Sequence, residues 1–245
     1  MSGHSKWNNI KHKKEKTDIQ RAKVFTKIGR EITQAVKELG PDPASNTKLR
    51  DLIAKAKDNN VPSDNIDRVI KKAAGDSNTE NYENITYEGY GPCGIAVIVD
   101  CLTDNRNRTA GNLRHYFDKN GGNLGQSGSV NWMFSKKGVI VIDKAEYDED
   151  TLMEKCMEAP IDDFVVEDEV YEIYTQPDDD FRQTRDFLKE NDYTFISAEE
   201  AMVPSTYTAI DSEELKEKMQ RLLDMLEDDD DVQNVYHNWD QPDEE

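Results

Sequence analysis

The sequence predicts a multidomain α+β protein, in which a three-helix N-terminal domain precedes two ferredoxin-like α/β domains, one of them inserted in the other. Apolar residues recur at helical spacing up to residue 75, and strand-like alternation begins after residue 76. The order β-α-β-β-α-β, which is that of a ferredoxin-like domain, then occurs twice. The charge changes at the same place: residues 1–75 hold 17 basic and 9 acidic residues, although the 245-residue chain has a net charge of -20. A chain of this length can form two or three domains.

Three helices are predicted in the first domain, residues 1–76. The first helix ends at Gly40-Pro41, because glycine and proline terminate helices. Its apolar face comprises Phe25, Ile28, Ile32, Ala35 and Leu39. The second helix stops near Asn59-Asn60, and the third begins at Ser63 and ends at Gly75. Short helices joined by short loops are typical of a small bundle.

Two α/β domains are predicted after the bundle, with residues 135–202 inserted between the two halves of the other domain, 77–134 and 203–245. The inserted domain has predicted strands at 139–142, 164–167, 170–175 and 194–197, and helices at 151–158 and 181–190. The flanking halves have predicted strands at 85–90, 95–102, 129–134, 203–210 and 232–236, and helices at 108–119 and 212–226.

The cysteine and hydropathy patterns predict a cytoplasmic protein with no membrane partner. The three cysteines form no Cys-x-x-Cys pair, and their odd number leaves one unpaired in any disulfide scheme, which favours reduced, buried thiols. The longest aliphatic run, Ile95–Val99, is far shorter than the roughly 20 residues that span a bilayer. The N-terminus lacks the apolar region of a secretory signal.

The N-terminal segment is the strongest candidate for a functional site. Met1–Lys37 carries ten Lys or Arg against three acids, a net charge of +7 in an otherwise acidic chain. Lys and Arg bind phosphate without sequence preference, and Trp7 could stack on a base. The predicted nucleic-acid-binding residues are Lys6, Trp7, Lys11, His12, Lys13, Lys14, Lys16, Arg21, Lys23, Lys27 and Arg30. The alternative is a solvated tail whose tryptophan docks on the bundle.

The helix after this segment extends the predicted basic surface onto a rigid element. Lys23, Lys27 and Arg30 are spaced i, i+4 and i+7, so they share one face. Arg106 and Arg108 are a secondary candidate at a strand-to-helix junction, where they could bind phosphate, bind an acidic partner or pair with neighbouring acids. The five acids at Glu227–Asp231 are interpreted as a solvated loop or as a site for a basic partner.

Patterns for catalysis, metals and cofactors are missing from the sequence. The four histidines show no ligand spacing, either with each other or with the cysteines. The glycines of the segment 121–128 are followed by no Gly-Lys-Ser/Thr, so they predict a tight helix-to-strand connection rather than a phosphate loop. No nucleophile–base arrangement follows from the spacings. The sequence therefore predicts no metal, no cofactor and no enzymatic activity, with an enzyme as the remote alternative.

Six segments together resemble the YebC family. They are Gly3–Lys14, Lys27–Glu31, Tyr87–Pro92, Asp104–Thr109, Gly121–Gly125 and Phe134–Gly138. Beyond Val139 the resemblance rests on element order. Cys93 occupies a position that reads as glycine in many members. The resemblance implies a helical domain followed by two α/β domains, and a cytoplasmic, non-enzymatic role in association with nucleic acid.

The resemblance leaves two functions open. Bacterial members are named as probable transcriptional regulators, which implies DNA binding at promoters. The family also includes a mitochondrial translational activator, which implies ribosome association, binding of ribosomal or transfer RNA and help with difficult stretches such as consecutive prolines. A short basic segment contacts mainly backbone and so carries little sequence information, which favours RNA slightly. The sequence sets neither the oligomeric state nor the target.

Overall fold

The computed structural model describes residues 18–75 and 81–241, with side chains from residue 23 onward. These residues group into two compact units. The first unit contains the described residues up to 129 together with 211–235, and the second contains 130–210 and 236–241.

Fifteen helices and strands make up the described fold, apart from two short 3₁₀ turns at 92–94 and 131–133. In chain order they are α1 (Asp18–Leu39), α2 (Thr47–Asp58), α3 (Ser63–Gly75), β1 (Glu83–Tyr90), β2 (Ala96–Thr103), α4 (Arg106–Lys119), β3 (Asn123–Leu124), β4 (Phe134–Asp143), α5 (Glu149–Cys156), β5 (Asp163–Val166), β6 (Val170–Thr175), α6 (Asp179–Glu190), β7 (Ser197–Pro204), α7 (Glu213–Asp228) and β8 (Val232–His237).

The three predicted N-terminal helices are confirmed, and their apolar faces form one core. The buried side chains include Ile28, Ile32, Leu49 and Ile66. Helix α1 ends where predicted, and Gly40 follows it with a φ of 89°. Leu39, which the periodicity placed on the apolar face, is 61% exposed because it is the last residue of the helix.

The second unit contains the predicted ferredoxin-like sheet, although its last strand, predicted at 194–197, is β7 at Ser197–Pro204. Its strand order is β5-β6-β4-β7, with helices α5 and α6 as the crossovers, and all three strand pairs are antiparallel. This is the order expected for a β-α-β-β-α-β domain. Strand β7 pairs with β4 over eight residues, from Phe134↔Pro204 to Val141↔Ser197.

The first unit contains a second four-stranded sheet, with the order β3-β1-β2-β8. Strand β2, helix α4 and strand β3 form its first half, and α7 with β8 returns to it after the inserted strands β4–β7. The inner position between β2 and β3 would be held by the third strand in chain order of a ferredoxin-like sheet. Here β1 occupies it, although β1 comes first in the chain, and it pairs antiparallel with both β2 and β3.

Two predicted strands of this domain are wrong. The segment predicted as a strand at 129–134 instead contains a 3₁₀ turn at 131–133, in which the Met133 N–H donates to the Val130 carbonyl at 2.9 Å. Of the strand predicted at 203–210, only Val203 and Pro204 are in a strand, as the last residues of β7, and Pro204 has no N–H to donate. Within the described chain, Thr208 makes only an isolated bridge, to Trp239. The domain boundaries at 76/77, 134/135 and 202/203 stay a prediction.

Asn46 fixes the turn between α1 and α2, and its side chain is fully buried. Its Nδ2 donates to the carbonyls of Ala35 and Gly40, both at 2.8 Å, while its Oδ1 caps α2 by accepting from the Leu49 N–H at 2.9 Å. Three backbone groups of the helical core therefore depend on one side chain.

Asn46→Ala should lower the free energy of unfolding of the helical region by about 2–4 kcal/mol, since a lost cap and unsatisfied buried carbonyls each cost about 1–2 kcal/mol. Urea-induced unfolding followed at 222 nm measures this change. Asn59→Ala is the matched control, because Asn59 is exposed and its Nδ2 bonds only the Lys55 carbonyl. An equal loss in the two variants would contradict the role assigned to Asn46.

Candidate functional site

The predicted nucleic-acid-binding residues fall into two groups in the structure. Those of the N-terminal segment, Lys6 to Lys16, lie outside the described residues, and Arg21 lies in α1 but its side chain is not described. Lys23, Lys27 and Arg30 are described and share one face of α1, as the spacing predicted.

This face of α1 contacts the acidic run, residues Glu227–Asp231. Lys23 Nζ lies 2.7 Å from Asp228 Oδ1, and Lys27 Nζ donates to the Glu227 carbonyl at 2.7 Å. Arg30 Nη1 donates to the Asp230 carbonyl at 2.7 Å. The acidic run is therefore not a solvated loop, and its basic partner is α1 of the same chain. The role of these three cations in binding nucleic acid stays a prediction.

Asp231 is the centre of the cluster, with a side chain only 4% exposed. Its Oδ1 accepts from Arg30 Nη1 at 2.8 Å and from Arg108 Nη2 at 3.0 Å. Its Oδ2 lies 2.8 Å from Arg108 Nη2 and from Thr109 Oγ1, and 3.2 Å from Thr103 Oγ1. Two guanidinium groups and two hydroxyls thus surround one carboxylate.

These contacts keep the carboxylate ionised. Burial alone would raise the pKa of Asp231, but hydrogen bonds from Arg108, Thr109 and Arg30 outweigh burial and hold its pKa below the usual value. The hydrogen bonds to Asp231 and Asp104 in turn raise the pKa of Arg108. The cluster is therefore a fixed arrangement of opposite charges near neutral pH.

Asp229 attaches the acidic run to the body of α4. Its Oδ2 accepts from Tyr116 Oη at 3.0 Å and from Asn112 Nδ2 at 3.2 Å, and its Oδ1 accepts from the Asp231 N–H at 2.9 Å. Burial, together with the charge and hydrogen bond of Asp229, raises the pKa of Tyr116 to about 12. All five acids of the run thus contact α1 or α4, Glu227 and Asp230 through their carbonyls and the other three through their side chains.

An open groove of about 550 Å³ lies over this cluster. Its lining residues include Lys23, Arg30, Tyr82, Arg108 and Asn112, together with the acids of the run. The guanidinium of Arg30 lies 5.5 Å from the centre of the Tyr82 ring. Three cations and five acids line the groove, so it presents no surface of a single charge to a ligand.

The two secondary candidates, Arg106 and Arg108, make different contacts in the structure. Arg108 pairs internally with Asp104 at 2.7 Å and with Asp231, which is one of the alternatives that the sequence left open. Asn105 caps α4 through its Oδ1, which accepts from the Arg108 N–H at 3.1 Å. Arg106 is exposed, and its carbonyl accepts from Tyr87 Oη at 3.3 Å. Its role in phosphate binding stays a prediction.

Two of the three cysteines are buried, and their surroundings keep the thiols protonated. Cys101 and Cys156 are buried, and burial raises the pKa of both thiols, that of Cys156 to about 12. The described histidines, cysteines and acids include no group of three placed to hold a metal ion. Among the same residues, no helix has the length and apolar character needed to cross a bilayer.

The fold and charge distribution define a class of multidomain α+β proteins, with a basic helical region followed by two ferredoxin-like sheets, one nested in the other. The chain belongs to the TACO1/YebC family. The model of the family's N-terminal domain matches residues 5–76, and the model of its second and third domains matches residues 82–239. The resemblance noted in the sequence is thereby confirmed.

Relatives match over nearly the whole chain. A protein named "Probable transcriptional regulatory protein" from Caldicellulosiruptor bescii is 60% identical over all of both chains. One with the same name from Acetivibrio thermocellus is 58% identical over 98% of this chain and 99% of its own. The crystal structure of a conserved hypothetical protein from Aquifex aeolicus has a TM-score of 0.85 and 43% identity, and 98% of each chain is covered.

The Asp231 cluster was missed by the sequence reasoning. The sequence did contain an indication of this contact, because the three cations of α1 and the five acids of the run have opposite charges. However, the two segments are 200 residues apart, and the carboxylates of the run look alike in the sequence. Only the fold shows that Asp231 is buried and that Asp228 is on the surface.

Asp231→Asn should lower the free energy of unfolding by about 2–3 kcal/mol. The change keeps the shape but leaves Arg30 and Arg108 without their carboxylate, and the estimate lies below the usual cost of breaking a buried pair because Arg108 is 45% exposed. Asp228→Asn is the matched control and should cost less than about 1 kcal/mol, since Asp228 is 67% exposed. Chemical denaturation measures both, and similar losses would refute the distinction.

Acid should destabilise the wild-type protein partly through Asp231. The folded-state pKa of Asp231 lies below the unfolded value of about 3.9, so the unfolded chain binds the proton first as the pH falls. The stabilisation is thus present above about pH 4 and is lost as the pH falls through the folded-state pKa. Unfolding midpoints between about pH 2 and pH 6 should fall less steeply for Asp231→Asn than for the wild type; parallel curves would exclude this contribution.

Proposed function

We propose that this protein binds nucleic acid through its basic N-terminal segment and regulates gene expression, as a DNA-binding transcriptional regulator. The observation that carries the proposal is the segregation of charge: residues 1–75 have a net charge of +8, whereas the rest of the chain has a net charge of -28. A phosphate polymer is attracted to the first part and repelled by the second. The names of the bacterial relatives support a regulatory role in transcription.

Some of the predicted phosphate-binding cations already have partners within the protein. Lys23, Lys27 and Arg30 already contact the acidic run, so phosphate would have to displace carboxylate or carbonyl partners to reach them. We therefore place the main phosphate contacts on the segment before α1, at Lys6, Lys11, Lys13, Lys14 and Lys16. Trp7 and His12 would add contacts to bases or sugars. The proposed role is non-enzymatic and cytoplasmic.

The second candidate function is that of a translation factor that associates with the ribosome and binds ribosomal or transfer RNA. The feature that favours it is the excess of acids after residue 76, with 42 Asp or Glu against 14 Lys or Arg. Ribosomal proteins are largely basic, so such a surface could lie against them while the N-terminal segment contacts RNA.

Fractionation of a cell lysate separates the two candidates. A transcriptional regulator should remain in the soluble fraction at low salt and protect a promoter fragment from nuclease. A translation factor should sediment with ribosomes and protect no promoter. Sedimentation without protection would overturn the transcriptional assignment.

Changing Lys11, Lys13 and Lys14 to Ala should weaken binding to a DNA fragment and reduce the slope of log K against log salt by about 3. Each phosphate contact releases counterions worth about 0.9 in this slope. Fluorescence anisotropy titrations at several salt concentrations measure the slope. Changing Lys216, Lys218 and Arg221 of α7 to Ala is the control, because those cations pair with Glu213, Glu214 and Glu217. An unchanged slope in the first variant would assign the segment to folding.

A further inference from the structure

Helix α3 carries three exposed cations that the sequence reasoning did not single out, with the exposed acids Asp64 and Asp67 one turn before two of them. Arg68, Lys71 and Lys72 are exposed and are spaced i, i+3 and i+4, so their side chains are neighbours on the helix surface. The opposite face carries Ile66 and Ala73, which are buried in the helical core. The orientation of the three cations toward solvent is therefore fixed by the packing of α3.

These three cations lack acidic partners among the described residues, unlike several cations of α1 and α7. Within residues 18–75 and 81–241, no carboxylate lies within ion-pair distance of any of the three. On α1, by contrast, Lys23 and Arg30 pair with the acidic run. On α7, the cations Lys216, Lys218 and Arg221 each pair with a glutamate three or four residues earlier. The α3 cations are thus available to an external anion without displacing a partner.

The surroundings of this face suit a phosphate backbone rather than unstacked bases. The segment 47–75, which contains α2 and α3, has no Phe, Tyr or Trp, and so it offers no ring for base stacking. On the neighbouring helix α2, Arg50 and Lys57 are also exposed. Cations without aromatic residues contact duplex phosphates and read little sequence.

We propose that Arg68, Lys71 and Lys72 form a second phosphate-binding surface, which contacts the backbone of duplex DNA. This inference rests on the proposed function and adds a rigid contact to that of the N-terminal segment. The segment would supply most of the binding, and α3 would hold the helical region against the duplex. Because phosphate contacts carry no sequence information, the α3 contribution should not depend on the DNA sequence.

The test compares two triple variants in binding a 20-base-pair DNA duplex by fluorescence anisotropy over a range of salt. Arg68→Gln, Lys71→Gln and Lys72→Gln together should reduce the salt slope by about 2.7 and weaken binding roughly 100-fold at about 0.1 M salt. The same changes at Lys216, Lys218 and Arg221 are the matched control, since they remove equal charge from α7. The control should leave the slope within about 0.5 of the wild type.

Equal effects of the two triple variants would show a response to net charge and overturn the proposal. The single variants Lys71→Gln and Lys72→Gln, each expected to lower the slope by about 0.9, give the same test if the triple variant loses its helical signal at 222 nm. A slope that falls for duplex RNA but not for DNA would overturn the assignment to DNA.

The variant at Lys11, Lys13 and Lys14 separates this inference from the proposed function. If that variant lowers the slope and the α3 variants do not, the α3 surface is excluded and the N-terminal segment stands. If the wild-type protein binds neither duplex at low salt, the proposed function itself is excluded.

Discussion

The carboxylate of Asp231 is the interaction on which the first unit depends. Arg30 reaches it from α1, Thr103 from the end of β2, and Arg108 and Thr109 from the first turns of α4. The carbonyl of Asp231 accepts from the Leu102 N–H at 2.7 Å, which ties the same residue into the sheet. A buried charge is tolerated only where donors surround it, so the fold must hold three separate segments in place around this residue.

The need to neutralise the buried carboxylate of Asp231 gives the cations of the first unit different roles. Arg30 and Arg108 neutralise a buried carboxylate, and their removal would leave that charge without compensation. Lys23 pairs with Asp228 on the surface, where an ion pair contributes about 0–1 kcal/mol. The α3 cations have no acidic partner among the described residues. Cations that are equivalent in the sequence therefore differ in how readily they could bind an external phosphate.

Local sequence patterns predicted most of the elements, since apolar periodicity reports burial directly. The main failures are the strands predicted at 129–134, 194–197 and 203–210: the first segment contains a 3₁₀ turn, and the other two overlap only the two ends of β7. The use of β1 as an inner strand was not predicted either, because strand order depends on pairing between distant segments. The Asp231 cluster has the same origin, since its donors and acceptor are brought together only by the return of β8 to the first sheet.

The acidic run also limits how far the basic N-terminal surface can extend along α1. A phosphate backbone would displace the partner of Lys23 at low cost, because Asp228 is exposed and held by a weak pair. It reaches Arg30 only by competing with Asp231, which is buried and shared with Arg108. Exchange should therefore cost less at Lys23 than at Arg30. If the proposed phosphate contacts extend onto α1, we expect them to end between Lys23 and Arg30, beyond which the cations hold the fold.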